Sequence, residues 1–291
     1  MSRNIQHVET PMGDIAYEER GSGPPALFVH GVFLNGYLWR HVIARVADVR
    51  SCIAVDLPAH GATRTRDDQD LSFEAIAELL EAFCEARSLE RIDLVGNDSG
   101  GGIAQILAAR HPDRLRSLTL TNCDVHDNWP PEAFAPTMQA VEQGRLQEMG
   151  ESMLADLQTA RAAFSVGYER PEELTEETVR TYLEPLQSDA ARRHLERWFA
   201  AMDCAQTVAV EPQLRALQVP ALVVWGTGDP FFDVQWAYWL RDTIPGARKV
   251  IELDGAKLFF PEERPDELAT ALREHWELAA SAAAGGPAVV Q

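Results

Sequence analysis

Leu94-Val95-Gly96-Asn97-Asp98-Ser99-Gly100-Gly101 is the stretch on which the reading of this chain turns. It follows the apolar run Ile92-Asp93-Leu94-Val95 and precedes Ile103 to Ala109, whose apolar spacing is helical. A sharp strand-to-helix turn presses backbone against backbone. The residues two before and two after its apex must therefore be small. Gly96, Asp98 and Gly100 meet that pattern with an aspartate at the apex. Moving the frame to Ser99 would put Asn97 in a small-residue slot, which fits less well. A glycine-rich phosphate loop is the competing reading, but the Asp98 carboxylate would sit where the anion should go.

Outward from this turn the chain alternates strand and helix. Ile5, Val8, Ile15 and Tyr17 around Pro11-Met12-Gly13-Asp14 read as two antiparallel strands. Apolar runs recur at Ala26-Leu27-Phe28-Val29, Cys52-Ile53-Ala54-Val55, Leu118-Thr119-Leu120, Ala221-Leu222-Val223-Val224-Trp225 and Val250-Ile251-Glu252-Leu253. Helical segments such as Phe73 to Leu80 separate them. Such alternation predicts an α/β fold with a mostly parallel sheet of eight strands and helices on both faces. The alternation lapses between about Asp127 and Val210, where Glu173 to Leu183 and Ala190 to Met202 are helix-forming and no convincing strand is present. The expected organisation is a core of residues 1–126 and 211–278, an inserted helical cap of residues 127–210, and a disordered Ala/Gly-rich tail of residues 279–291.

Composition narrows the partners. The chain has 291 residues, 46% of them hydrophobic, enough for one large core. A net charge of -19 repels nucleic-acid phosphates and acidic membranes. Cys52, Cys84, Cys123 and Cys204 are far apart and show no metal-ligand spacing, so reduced thiols in a cytoplasmic protein are expected. The first residues contain no signal-peptide apolar region. No cofactor-binding pattern is present. The expected partner is a small apolar molecule, with a homodimer as a candidate assembly.

Four further stretches carry a resemblance. They are His30-Gly31-Val32-Phe33, Asp56-Leu57-Pro58-Ala59-His60-Gly61, Trp225-Gly226-Thr227-Gly228-Asp229-Pro230 and Pro261-Glu262-Glu263-Arg264-Pro265. With the Asp98 turn, they resemble the oxyanion loop, the D-x-P-G-x-G turn, the acid turn and the segment after the catalytic histidine of the α/β-hydrolase superfamily. Asp98 and Tyr37-Leu38-Trp39-Arg40 resemble the branch with an aspartate nucleophile, which includes haloalkane dehalogenases, fluoroacetate dehalogenases and epoxide hydrolases. The resemblance implies Asp98 as nucleophile, Asp229 as the second carboxylate, and the Val32 and Ser99 N–H groups as the oxyanion hole.

The chain also departs from that pattern. Leu258 stands in the histidine slot and cannot accept a proton. Ser99 and Val32 stand where dehalogenases of the branch carry halide-binding tryptophan and asparagine, and Phe33 replaces the oxyanion-loop proline. Tyr168 and Tyr182 stand in the cap, where epoxide hydrolases place the tyrosines that protonate the leaving alkoxide. His126, in Asp124-Val125-His126-Asp127, is the candidate substitute base; ordering the cap hinge by hydrogen bonds is its other reading. His30 is expected to brace the oxyanion loop, His60 to lie in a surface turn, His111 to end the elbow helix and His275 to be a surface residue. Phe33, Trp129, Tyr168, Tyr182 and Leu258 are the expected substrate contacts. Three readings follow: hydrolysis at carbon through Asp98, lyase, isomerase or cyclase chemistry with Asp98 as general acid or base, and ligand binding without catalysis.

Overall fold

Eight strands pair into one sheet in the computed structural model, which describes residues 3–283. They are β1 (Gln6–Thr10), β2 (Gly13–Gly21), β3 (Pro25–Val29), β4 (Ser51–Asp56), β5 (Ile92–Asp98), β6 (Leu115–Cys123), β7 (Ala221–Gly226) and β8 (Ala247–Leu253). The spatial order is β1-β2-β4-β3-β5-β6-β7-β8. β2 runs antiparallel to β1 and β4, and the remaining pairs are parallel. This is the expected mostly parallel eight-stranded sheet. Every residue of β5 and β7 is buried, and β7 is apolar throughout, as a strand covered on both faces requires.

Helices cover both faces. α1 (Arg40–Val46) follows β3, α2 (Phe73–Ala86) follows β4 and α3 (Ser99–Arg110) follows β5. α11 (Val234–Thr243) follows β7, and α12 (Phe260–Glu263) and α13 (Pro265–Ala283) follow β8. α1 packs on α13, and α2 packs on α3. α3 is buried from Ser99 to Ala109, so its sequence is small and apolar all round rather than amphipathic. No helix among the described residues is long and apolar enough to cross a membrane.

Between β6 and β7 lie α4 (Ala135–Glu142), α5 (Leu146–Ala155), α6 (Leu157–Phe164), α7 (Glu176–Leu183), α8 (Asp189–Ala201), α9 (Cys204–Ala209) and α10 (Glu211–Ala216), with no strand. α7 starts later than the expected Glu173 because the Thr175 hydroxyl accepts the Thr178 N–H and caps the helix there. α9 and α10 already pack on α3. α13 continues through Ala283, so residues 279–283 are helix rather than tail. Alanine is the best helix former, and Ala279 is buried. The rest of the expected tail, residues 284–291, lies outside the described residues.

The strand order reverses at β3. The chain steps from β3 to β4 on one side and then to β5 on the other. A crevice opens at the carboxyl ends of such a pair. Val29 pairs with Gly96, so the loop after β3 and the tip of β5 meet at that edge. Packing there leaves no room for side chains. A Cβ on Gly100 would lie 2.3 Å from the His30 carbonyl oxygen, and one on Gly101 would lie 2.3 Å from Cys123 Cβ. Gly100→Ala is expected to lower the melting temperature by roughly 5 °C or more, as overpacking against fixed backbone requires. Thermal unfolding checks this, and an unchanged midpoint would contradict the packing.

Candidate active site

Asp98 ends β5 and caps α3 with φ 56° and ψ -133°, a backbone conformation that a non-glycine residue adopts only under strain. The turn is held from below by Gly96 and Gly100 and from the side by Gly31. A Cβ on Gly31 would come within 2.1 Å of Asp98 Oδ2. That close approach lets the Val32 N–H donate to Asp98 Oδ2 at 3.0 Å, and the Ser99 N–H also supports the carboxylate. Val32 and Ser99 thus stand at the positions expected of an oxyanion site. Phe33 has φ 62°, which proline, with φ fixed near -65°, cannot adopt; this accounts for the departure from H-G-x-P.

The loop is braced as expected by His30. Its Nδ1–H donates to the Gly31 carbonyl at 2.7 Å and its Nε2 accepts the Leu57 N–H at 2.9 Å. Both nitrogens are spent on a neutral ring, and burial pushes its pKa down to about 3. His60 is not in an exposed turn. It is 1% exposed, because His30 and Trp198 of α8 pack edge-on against it.

Asp98 lines a cavity of about 320 Å³ together with Val32, Phe33, Trp129 and Leu258. Phe134, Phe164, Phe231 and Phe259 supply much of the remaining wall, and α4 to α8 contribute most of the roof. The volume falls in the range of small-molecule pockets. Asp98 is only 4% exposed. Burial above all, and then the charge of Asp229, pushes its carboxyl up to about 7, while the Val32 and Ser99 N–H groups pull it down.

Asp229, after β7, is also buried. Asn122 Nδ2 donates to its Oδ2 at 2.7 Å and the Phe231 N–H donates to its Oδ1 at 2.8 Å. Burial again dominates and brings its carboxyl to about 7. A third carboxyl, Asp124 after β6, has both oxygens buried without a partner; Ser99 Oγ lies by it without completing a well-formed hydrogen bond. Burial and then the charge of Asp98 raise its pKa well above the usual range.

Leu258 faces the cavity from the loop after β8, and its carbonyl accepts from Asn97 Nδ2 at 3.1 Å. Asn97 directly precedes Asp98, so the loop after β8 is docked at the elbow. It bears a leucine there. None of the eight histidines lines the cavity. His126 is held outside it. Its Nε2 lies 3.0 Å from Glu211 Oε2, its Nδ1 lies 3.1 Å from Asp127 Oδ1, and its ring packs on Trp239. The Thr207 hydroxyl donates to its carbonyl at 2.5 Å, so His126 orders the entry to the helical insertion. His111 caps the end of α3 as expected. His275 is 9% exposed rather than a surface residue, because α13 packs it against β6 and β7.

Tyr168 and Tyr182 are likewise not cavity residues. Both hydroxyls donate to Glu262 Oε2, at 3.0 and 2.5 Å, and Arg40 Nη2 donates to Glu262 Oε1 at 2.6 Å. The network ties the insertion to the loop after β8. The Phe259 N–H donates to the Gly167 carbonyl at 3.0 Å, and Lys257 Nζ donates to the Ser165 carbonyl at 2.7 Å, along the same seam. Sequence reasoning missed Asn97, Asn122 and Glu262. Asn97 and Asn122 are polar side chains in buried strands, a legible signal, whereas Glu262 stands beside Glu263 and Arg264 and has none. Among the described residues no cluster of His, Cys, Asp and Glu is arranged to hold a metal ion.

Residues 24–263 match the family model described as the alpha/beta hydrolase fold. The chain is 29% identical over 281 residues to haloalkane dehalogenase 2 of Mycobacterium tuberculosis, covering 92% of this chain and 93% of that protein. It is 29% identical over 242 residues to pimeloyl-[acyl-carrier protein] methyl ester esterase of Chromobacterium violaceum, covering 79% and 85%. Haloalkane dehalogenase DbeA of Bradyrhizobium elkani superposes with a TM-score of 0.79 at 22% identity, over 96% of this chain and 99% of that one. Epoxide hydrolase CorEH superposes with a TM-score of 0.77 at 18% identity, over 94% and 98%.

The raised carboxyls set a pH dependence. Asp98 and Asp229 hold protons more tightly folded than unfolded. Between the unfolded carboxyl value of ~3.9 and about 7, stability therefore falls as pH rises, and it levels off above that window. Asp98→Asn removes one such ionisation and is expected to raise the melting temperature by roughly 5 °C at pH 8 and by less at pH 5. An equal shift at both pH values, in parallel thermal melts, would contradict a buried titrating Asp98.

Proposed function

This chain belongs to the α/β-hydrolase fold family, and we propose that it is a hydrolase on the haloalkane dehalogenase- and epoxide hydrolase-like side of that family, attacking small apolar molecules at carbon through Asp98. One observation carries the reading. Asp98 opens on an apolar cavity while its Oδ2 is held by the Val32 N–H at 3.0 Å. One oxygen is thereby aligned as the future ester carbonyl in an oxyanion site, and the other is left to attack. The carboxylate electron pair forms a C–O bond as the leaving group departs with its bonding pair. Water then adds to the ester carbonyl and releases one proton to solvent; the acyl C–O bond breaks, the departing oxygen takes up the water's second proton and leaves as the alcohol, and the Asp98 carboxylate is regenerated. The insertion of α4 to α8 acts as the cap that encloses the substrate.

The second step is where this site differs from its relatives' pattern. Leu258 offers no proton acceptor, and no histidine is in the cavity. The ester is therefore long-lived. Tyr168 and Tyr182 do not protonate a leaving group, because both hydroxyls are spent on Glu262. Substrates whose leaving group needs no proton, or strained rings, fit best.

The absence of a water-activating base, together with the Asp98 value of about 7, favours a second reading in which Asp98 shuttles a proton in a non-hydrolytic rearrangement. pH separates the two. Attack by the carboxylate rises about tenfold per pH unit below about 7 and is flat above it, whereas a general acid role falls above about 7.

Intact-mass measurement after incubation with 1-bromohexane or 1,2-epoxyhexane is expected to show a covalent adduct on the native protein and none on Asp98→Asn. In heavy-oxygen water, turnover places label in Asp98. Leu258→His is expected to speed release of the adduct by about 10- to 100-fold, the contribution of a positioned general base. Product formation with no adduct and no label in Asp98 would replace the nucleophile reading with the proton-shuttle one.

A further inference from the structure

The helical insertion is bound to the core unevenly. Its later part is tied by polar groups. Tyr168 and Tyr182 reach Glu262, the Glu169 and Arg170 N–H groups donate to Glu263 at 2.8 and 2.7 Å, and Asn35 Nδ2 donates to the Thr181 carbonyl at 2.8 Å. His194 Nε2 of α8 lies 2.8 Å from Asp67 Oδ1, and Gln206 of α9 accepts the Glu74 N–H at 3.2 Å. Residues 129–155, which hold α4 and α5, have no counterpart. Among the described residues no hydrogen bond or ion pair joins that stretch to the sheet or to α6 through α10. Burial follows the same division. α4 buries Ala140 alone and α5 buries Leu146 and Gly150, whereas α8 buries His194, Leu195, Trp198 and Phe199. Both ends of the loose stretch are fixed. Before it, Asn128 Nδ2 donates to the Phe231 carbonyl at 3.4 Å; after it, the Asp156 carboxylate accepts the Thr159 N–H at 2.9 Å and starts α6.

Phe134 seats this stretch. Its ring centroid lies 6.4 Å from that of Phe33, 5.9 Å from Phe199 and 6.2 Å from Phe231. Phe33 belongs to the oxyanion loop and Phe231 follows Asp229, so one side chain meets both core loops of the site. Phe134, Leu146, Met149 and Met153 make one wall of the cavity. Pro136 of α4 and Val166, just beyond α6, line the cavity and are exposed, so the mouth lies along this wall. We propose that residues 129–155 are a flap, latched by Phe134, that opens to admit the substrate while the seam at Glu262 stays shut. Apolar contacts are non-directional, and parting them strands no polar atom. Parting the seam would leave the buried Tyr168 and Tyr182 hydroxyls unpaired. Opening therefore costs least where burial is sparse and polar ties are missing. Closure sets Phe134 against Phe33 and Phe231 and shuts bulk solvent away from Asp98.

The inference rests on the cavity being the substrate site but not on the reaction at Asp98. Hydrogen–deuterium exchange of the native chain is expected to run roughly tenfold faster in α4 and α5 than in α7 and α8. Equal protection of the two pairs would overturn the proposal without any variant having to fold. Entry is read separately with Leu258→Cys, which puts a thiol on the cavity wall. Its labelling by N-ethylmaleimide, located by peptide mass mapping, needs no chemistry at Asp98. Adding Phe134→Ala is expected to raise the labelling rate about tenfold, because three ring contacts to the rest of the molecule are lost. Adding Tyr182→Phe instead, which cuts one hydrogen bond of the seam, is expected to leave the rate nearly unchanged. With circular dichroism showing the variants folded, three results would each overturn the flap: no labelling at position 258, no rise with Phe134→Ala, or an equal rise with Tyr182→Phe. Alkylation of Asp98 by 1-bromohexane is a separate readout, so failure of the flap and failure of the nucleophile are told apart.

Discussion

The strained backbone of Asp98 is the constraint on which the site depends. A left-handed φ at a non-glycine residue persists only where its surroundings over-determine it. Here the surroundings are glycines that let β3, β5 and α3 touch, and a side chain pressed on the Cα of Gly31. That contact and the Val32 N–H hold the carboxylate at the switch point of the sheet. Relaxing the turn would move the carboxyl away from both the oxyanion loop and the cavity.

The second organising feature is the seam between the helical insertion and the loop after β8. Glu262 gathers two tyrosine hydroxyls and an arginine, while Phe259 and Lys257 bond to backbone carbonyls of the insertion. The seam seats Leu258 beside the elbow, with Asn97 gripping its carbonyl. Leu258 therefore presents an apolar side chain to the cavity from this loop.

The electrostatic result is three buried carboxyls: N–H groups hold Asp98 and Asp229, and the Asp124 oxygens have no hydrogen-bond partner. Burial dominates each of them and raises all three. Raised carboxyls in an apolar cleft are a known route to reactive groups at neutral pH. The same ionisations oppose folding, so the site is held together at the expense of stability elsewhere in the molecule.

Local rules carried the sequence far. Alternating apolar runs gave the sheet, the small-x-small frame chose Asp98 over Ser99, and the loop after β8 gave Leu258. These are readable because strand period, turn sterics and motif spacing act over a few residues. What the sequence could not give was which polar side chains meet across long separations. The place of Tyr168 and Tyr182 in the insertion predicts cavity residues, yet Glu262, at least 80 positions away, captures both hydroxyls. His126 was the candidate base, yet Glu211 and Asp127 hold it outside the cavity. The sequence by itself determined the fold and the carboxylate at its apex. Only tertiary packing decided what that carboxylate faces, because hydrogen-bond partners and burial are properties of the assembled chain.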